Sequence, residues 1–164
     1  MIASNALQTQ YLTFAVVDAE YGVGILQARE IIEVDTITGV PNAPEFVRGV
    51  INLRGSVVPV VDLAVKFGRP ASTVTRRSCI VVVEVEAEEG RSVVGLLVDR
   101  VSQVAEFAPE AIESPPDFGT GVRTDWLLGL GRVDKRFVLL LDTDRMLGAR
   151  DLPAALAESA RAMA

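Results

Sequence analysis

The chain contains no histidine. That removes the side chain that most often serves as general base near neutral pH and most often binds transition metals. There is one cysteine, Cys79, so no disulfide forms within the chain and no thiolate zinc site can be assembled. Cys79 lies in the run Cys79-Ile-Val-Val-Val83 and is expected to be a buried core thiol rather than a nucleophile. Aromatic residues are only 5% of the sequence, so the core must be built from Val, Leu and Ile. Long apolar runs are missing too: Phe137-Val-Leu-Leu-Leu141 is strand-sized, far short of the ~20 residues that span a bilayer. The N-terminus, Met1-Ile-Ala-Ser-Asn-Ala-Leu7, lacks the charged start and apolar block of a secretory signal. Basic residues are outnumbered, 16 Lys and Arg against 22 Asp and Glu, which argues against binding nucleic acid or anionic lipid. A soluble cytoplasmic protein without metal or cofactor is the expectation.

Motifs for chemistry are equally thin. Gly22-Val-Gly24 and Gly129-Leu-Gly131 begin like a dinucleotide fingerprint but lack its third glycine. No lysine follows a Gly-rich loop. Asp142-Thr-Asp144 reads as a helix cap rather than a cation site. Glu84, Glu86, Glu88 and Glu89 run into a hairpin tip among Val83, Val85 and Ala87, as the exposed face of a strand does. Nothing in the sequence supports an enzyme.

What the chain does have is repetition. Gly49, Val58, Asp62 and Gly68 recur as Gly129, Val138, Asp142 and Gly148, a constant separation of 80 residues (49 to 129, 62 to 142). Residues 11–17 and 22–26 are echoed by 78–85 and 93–98, and Ile31 and Val34 by Val101 and Val104. Each copy offers about five short strands between turn signals, a pattern of small barrels rather than βαβ units. Residues 62–67 and 142–147 read as single helical turns, each opened by an Asp cap and closed by a glycine. A barrel of ~65 residues is marginal alone, so the two are expected to pack together and leave a groove between them. Residues 151–162 read as a terminal helix with Pro153 near its first position, either docked on the second barrel or frayed.

Two β-rich runs, 48–53 and 57–61, flank a turn that presents Arg54 beside Gly55, where a residue without Cβ takes positive φ at no steric cost. A long guanidinium there suits a surface gripped by another protein.

These residues carry a resemblance. Gly49-Val-Ile-Asn-Leu-Arg-Gly55 followed by Val58-Pro-Val-Val-Asp-Leu63 resembles the hallmark of the CheW family of bacterial chemotaxis coupling proteins. Glu20-Tyr-Gly22, Pro41-Asn-Ala-Pro44, Val94-Gly-Leu-Leu-Val-Asp99 and Leu128-Gly-Leu-Gly131 support it in order. The match runs from Tyr11 to Gly148.

The resemblance implies an all-β fold of two SH3-like five-stranded barrels around a shared hydrophobic core, with no catalytic activity. It implies one domain over 11–148, divided roughly into 20–77 and 78–148 with the N-terminal strand open to exchange, after a flexible 1–10. Implied partners are the regulatory domain of a CheA-type histidine kinase, the cytoplasmic tip of methyl-accepting chemoreceptors, and other copies in rings. The place implied is the cytoplasm, at membrane chemoreceptor arrays, with no membrane insertion. Carried over by position, Arg54 matches the arginine of the receptor and kinase contact region, and Glu30 an acidic position near the kinase contact. Val101 and Val104 match the receptor-side wall of the second barrel, or are ordinary core. Gly49 and Gly95 match glycines of close backbone approach. The alternatives are an adaptor of pilus motility or developmental signalling, and a double barrel that binds a small ligand.

Overall fold

An unbroken apolar run such as Ile80-Val-Val-Val83 suits a strand covered on both faces, because successive side chains point to opposite sides. The computed structural model, which describes residues 9–87, 90–115 and 124–147, places that run inside such a strand. Ile80 and Val82 face one cluster with Ile51, Val58, Val60 and Leu97. Val81 and Val83 face another, with Leu12, Phe14, Val23, Leu96 and Leu141. The expected terminal helix, 151–162, and residues 1–8 lie outside the described residues.

Among the described residues the strands are β1 (Gln10–Val16), β2 (Ala19–Gly24), β3 (Ala28–Glu33), β4 (Val47–Leu53), β5 (Ser56–Asp62), β6 (Cys79–Ala87), β7 (Gly90–Val98), β8 (Arg100–Glu106), β9 (Leu127–Val133) and β10 (Arg136–Leu141). Two short helices, α1 (Leu63–Lys66) and α2 (Thr143–Leu147), follow β5 and β10. The strands form two five-stranded sheets, ordered β8-β1-β2-β10-β9 and β3-β6-β7-β5-β4. Neighbours are antiparallel except β2 with β10 and β5 with β7. This is the all-β, two-subdomain architecture expected from the duplication.

Strand pairing does not divide the chain near residue 78. Each sheet joins the last three strands of one copy to the first two of the other, so both copies exchange their opening hairpin, not one strand. Asp99 alone separates β7 from β8, too short a connection for a hairpin, so β8 leaves its predecessor's sheet. Each hairpin thus completes a sheet with the last three strands of the other copy.

The core follows from this exchange. Each subdomain has its own small cluster, one around Ile80 and Val60, the other Tyr11, Phe107, Val138 and Leu140. The largest cluster lies between the sheets and draws on both, with Leu63 of α1 and Met146 and Leu147 of α2. Each fully buried Val or Leu there contributes about 1.5–3 kcal/mol.

The copies match in detail. The Asp62 amide donates to the Phe46 carbonyl and the Asp142 amide to the Trp126 carbonyl, 2.7 Å in both. Gly49 and Gly129 take φ of 154° and 156° where β4 and β9 kink. A Cβ on Gly49 would lie 2.2 Å from the Thr38 carbonyl oxygen, and one on Gly129 2.4 Å from Ile112 Cγ2. The paired aromatics Phe46 and Trp126 share one cation, the Lys66 Nζ, 4.0 and 4.8 Å from their ring centroids.

Candidate functional site

The β4–β5 connection is a two-residue turn in which Leu53 pairs with Ser56. Its central residues, Arg54 (φ 52°) and Gly55 (φ 86°), are both left-handed, the twist that suits a tight hairpin. Asn52 fixes the turn: its Oδ1 accepts from the Gly55 amide at 2.8 Å. The sequence pointed to Gly55 as the permissive residue. It did not show that Arg54 takes a conformation L-residues disfavour.

The Arg54 guanidinium makes two parallel hydrogen bonds to Glu30 on β3: Nη1 to Oε2 and Nη2 to Oε1, each 2.8 Å. Such a fork orients as well as binds. The Arg54 side chain nonetheless remains 73% exposed, against 28% for Glu30. Hydrogen bonding to Arg54, and then its charge, holds the Glu30 carboxyl below its ordinary pKa; the same contacts raise that of Arg54. Arg29, Glu84, Arg91 and Glu86 continue the charges across β3, β6 and β7 at 3.2 to 3.4 Å. The Arg54–Glu30 pair walls a cavity of about 310 Å³ whose other lining includes Leu53, Val58, Val82 and Val93.

The remaining expected residues divide. Val101 on β8 is half-buried against the shared core, whereas Val104 is exposed. Val104 pairs with Leu12 and Ile31 pairs with Val81, so both lie on the core-facing side of edge strands and extend that core outward as apolar rims. Ile31 is also exposed, which its place in an apolar pattern did not reveal. Gly49 and Gly95 are buried; a Cβ on Gly95 would meet Ile80 Cγ2 at 2.6 Å. Both glycines thus sit where the neighbouring chain comes too close for a side chain. They lie apart from the turn that brings Arg54 to Glu30.

Two readings of chemical residues are refined. Cys79 is half-buried rather than buried, since it begins β6, where its Sγ donates to the Arg77 carbonyl at 3.3 Å. Asp142 caps α2, accepting from the Arg145 amide at 3.1 Å, while Asp144 accepts from the Glu86 amide at 3.0 Å. Among the described residues no group of three or more His, Cys, Asp or Glu could hold a metal ion, and no helix is long and apolar enough to cross a membrane. A larger cavity, about 1110 Å³, opens beside Glu20, Arg69, Arg100, Arg136 and Phe137, none of which the sequence singled out as a site.

The CheW-like domain model matches residues 10–151. The chain is similar to the chemotaxis protein CheW of Klebsiella aerogenes, 34% identical over 151 residues, covering 92% of this chain and 89% of that one. It is 28% identical to protein FrzA of Myxococcus xanthus over 123 residues, covering 75% of this chain and 74% of that one. Among solved structures, the scaffolding protein TtCheW of Thermoanaerobacter tengcongensis superposes with a TM-score of 0.76 at 28% identity, covering 88% of this chain and 90% of that one.

Proposed function

Because the chain belongs to the CheW family, we propose that it is a non-catalytic adaptor coupling methyl-accepting chemoreceptors to a CheA-type histidine kinase. It works in the cytoplasm, held at receptor arrays by protein contacts alone. The observation that carries the reading is the Arg54–Glu30 pair: an exposed guanidinium fixed in direction on a tight turn. An exposed arginine normally loses side-chain entropy when a partner orders it; here Glu30 has already ordered it.

The proposed roles draw on the geometry. Arg54, with Glu30 beneath it, presents a point of contact at one end of the first subdomain. The apolar rim bearing Val104, backed by Val101, takes one face of an amphipathic receptor helix through anchors spaced i, i+3 and i+4. Each contact is modest in area, so repeated contacts along rings with the kinase or with other copies would hold an array together. An adaptor that bound both states of its partner equally would transmit nothing, so the two contacts must be coupled.

Reconstitution of receptor, kinase and adaptor tests the reading. Arg54→Glu should remain folded, since the position is an exposed turn, yet fail to support kinase activation. Full activation by a folded Arg54→Glu protein would remove the assignment. Capture from lysate then identifies the pathway: a chemotaxis kinase with its receptors supports the proposal, while components of a motility or developmental system assign the chain to a sister pathway.

A further inference from the structure

The linker from α1 to β6 carries neither helix nor strand, yet it is firmly held. The Asp62 carboxylate, 1% exposed, accepts from the amide and hydroxyl of Ser72 at 2.9 and 2.8 Å and from Arg48 Nη1 at 2.9 Å. Arg48 also donates to the Ser72 carbonyl at 3.0 Å. The Arg69 amide donates to the Ala64 carbonyl and the Thr75 amide to Ser78 Oγ, each at 2.8 Å. The chain leaving α1 is thereby folded back onto β4 and β5. It presents Arg69 and Arg77, both exposed, at the large cavity that Arg100 and Arg136 also line.

Four arginines thus meet three carboxylates there, Asp18, Glu20 and Asp99, in a chain whose net charge is −6. Two of the carboxylates are already engaged. Glu20 Oε1 is shared, 3.4 Å from Arg136 and 3.8 Å from Arg100, and Asp99 Oδ2 accepts from the Val17 amide at 2.7 Å. Among the described residues no carboxylate forms an ion pair with Arg69 or Arg77. A guanidinium is a fork of N–H donors suited to carboxylates, and most of these donors are left for a ligand.

Two apolar side chains stand among the charges: Val17 and Phe137, 39% and 45% exposed. Val17 takes φ of 57° in the two-residue turn between β1 and β2, where Gly, Asn or Asp is usual and a β-branched side chain is strained. Asp99, at the junction of β7 and β8, holds that turn in place. A residue that strains the backbone without burying its side chain does little for the fold. Strain of this kind concentrates where a surface serves a ligand.

We propose that this cavity binds an acidic segment of a partner protein, with carboxylates on Arg69, Arg77, Arg100 and Arg136 and one apolar side chain against Val17 and Phe137. A single phosphate fits the arrangement less well. The cations come from the linker, β8 and β10, around a space of about 1110 Å³, and a phosphate would leave the apolar pair idle. Arg69 and Arg77 stand on a segment that is already ordered, so binding costs little backbone entropy. This inference does not rest on the adaptor reading.

NMR titration of the full chain tests it, with an acetylated peptide that has glutamates on both sides of a leucine pair. The amides of Val17, Arg69, Arg77 and Arg100 should shift first. Affinity should fall roughly tenfold between about 0.05 and 0.5 M salt, as exposed charges are screened. Arg69→Glu and Arg77→Glu should each weaken binding roughly tenfold. Arg145→Glu makes the same charge change beyond the opposite end of β10 and should leave affinity within about twofold. Phe137→Ala should erase the preference for leucine over alanine in the peptide. Equal losses in all three arginine variants would overturn the proposal, by reducing it to net charge. Shifts confined to other amides would overturn it as well, and so would inorganic pyrophosphate binding at these amides more tightly than the peptide.

Discussion

Asp62 and Asp142 hold the same position in the two copies, yet one carboxylate is sealed beneath a returning linker and the other looks out into a cleft. The two should therefore differ in what their removal costs. Asp62→Ala strands Arg48 and frees the linker, a loss of about 3 kcal/mol, the lower end for a buried pair because Arg48 is itself a third exposed. Asp142→Ala removes chiefly a helix cap, about 1 kcal/mol. Urea denaturation of both variants checks the contrast, and equal losses would mean that burial does not separate them.

Arg54 stands in left-handed backbone where Asn before Gly is the favoured pair for such a turn. Arg54→Asn should leave thermal stability unchanged or raised, because it relieves the backbone while removing only a surface ion pair. The same variant should lose kinase activation. A clear fall in Tm would show that the guanidinium, not the turn, dominates the local energetics.

Glu30 gives the pair a pH signature. Its pKa in the folded protein lies below that of the unfolded chain because Arg54 donates to it. The resulting stabilisation is fully present above the unfolded carboxylate value and fades as pH falls through the folded value. Carboxyl NMR titration should find Glu30 titrating below the ordinary glutamate range. In Arg54→Ala it should return toward that range, and no movement would contradict the fork seen in the structure.

Thr143 is fully buried in the first turn of α2, and its hydroxyl has no hydrogen-bond partner among the described residues. The equivalent residue of the first copy is Leu63, equally buried. Thr143→Val keeps the shape and removes the stranded group, so it should stabilise by about 1 kcal/mol. A lower denaturation midpoint for the variant would mean that the hydroxyl is satisfied, by a water for example.

Much of this was legible in the chain. The 80-residue spacing foretold strands that match down to the amide bonds of Asp62 and Asp142, and Asp62 and Asp142 foretold the caps of α1 and α2. Arg54 and Gly55 marked their own turn. Contacts between distant positions were another matter. Glu30 and Arg54 are 24 residues apart, one on β3 and the other in the turn between β4 and β5, strands that are not neighbours of β3 in the sheet, so no local pattern links them. The exchange of hairpins was hidden because it rests on pairing between distant segments, such as β2 with β10 and β5 with β7, which no local pattern records. Val104, which ordinary core would have suited as well, is exposed because β8 is an outermost strand of its sheet.

The traded hairpins also decide how the molecule can yield. Peeling β1 and β2 away strips two strands from one subdomain and, through Leu12, Phe14 and Val23, uncovers the wall of the other. Neither half has a complete sheet of its own to fall back on. The two subdomains therefore cannot part without breaking both sheets.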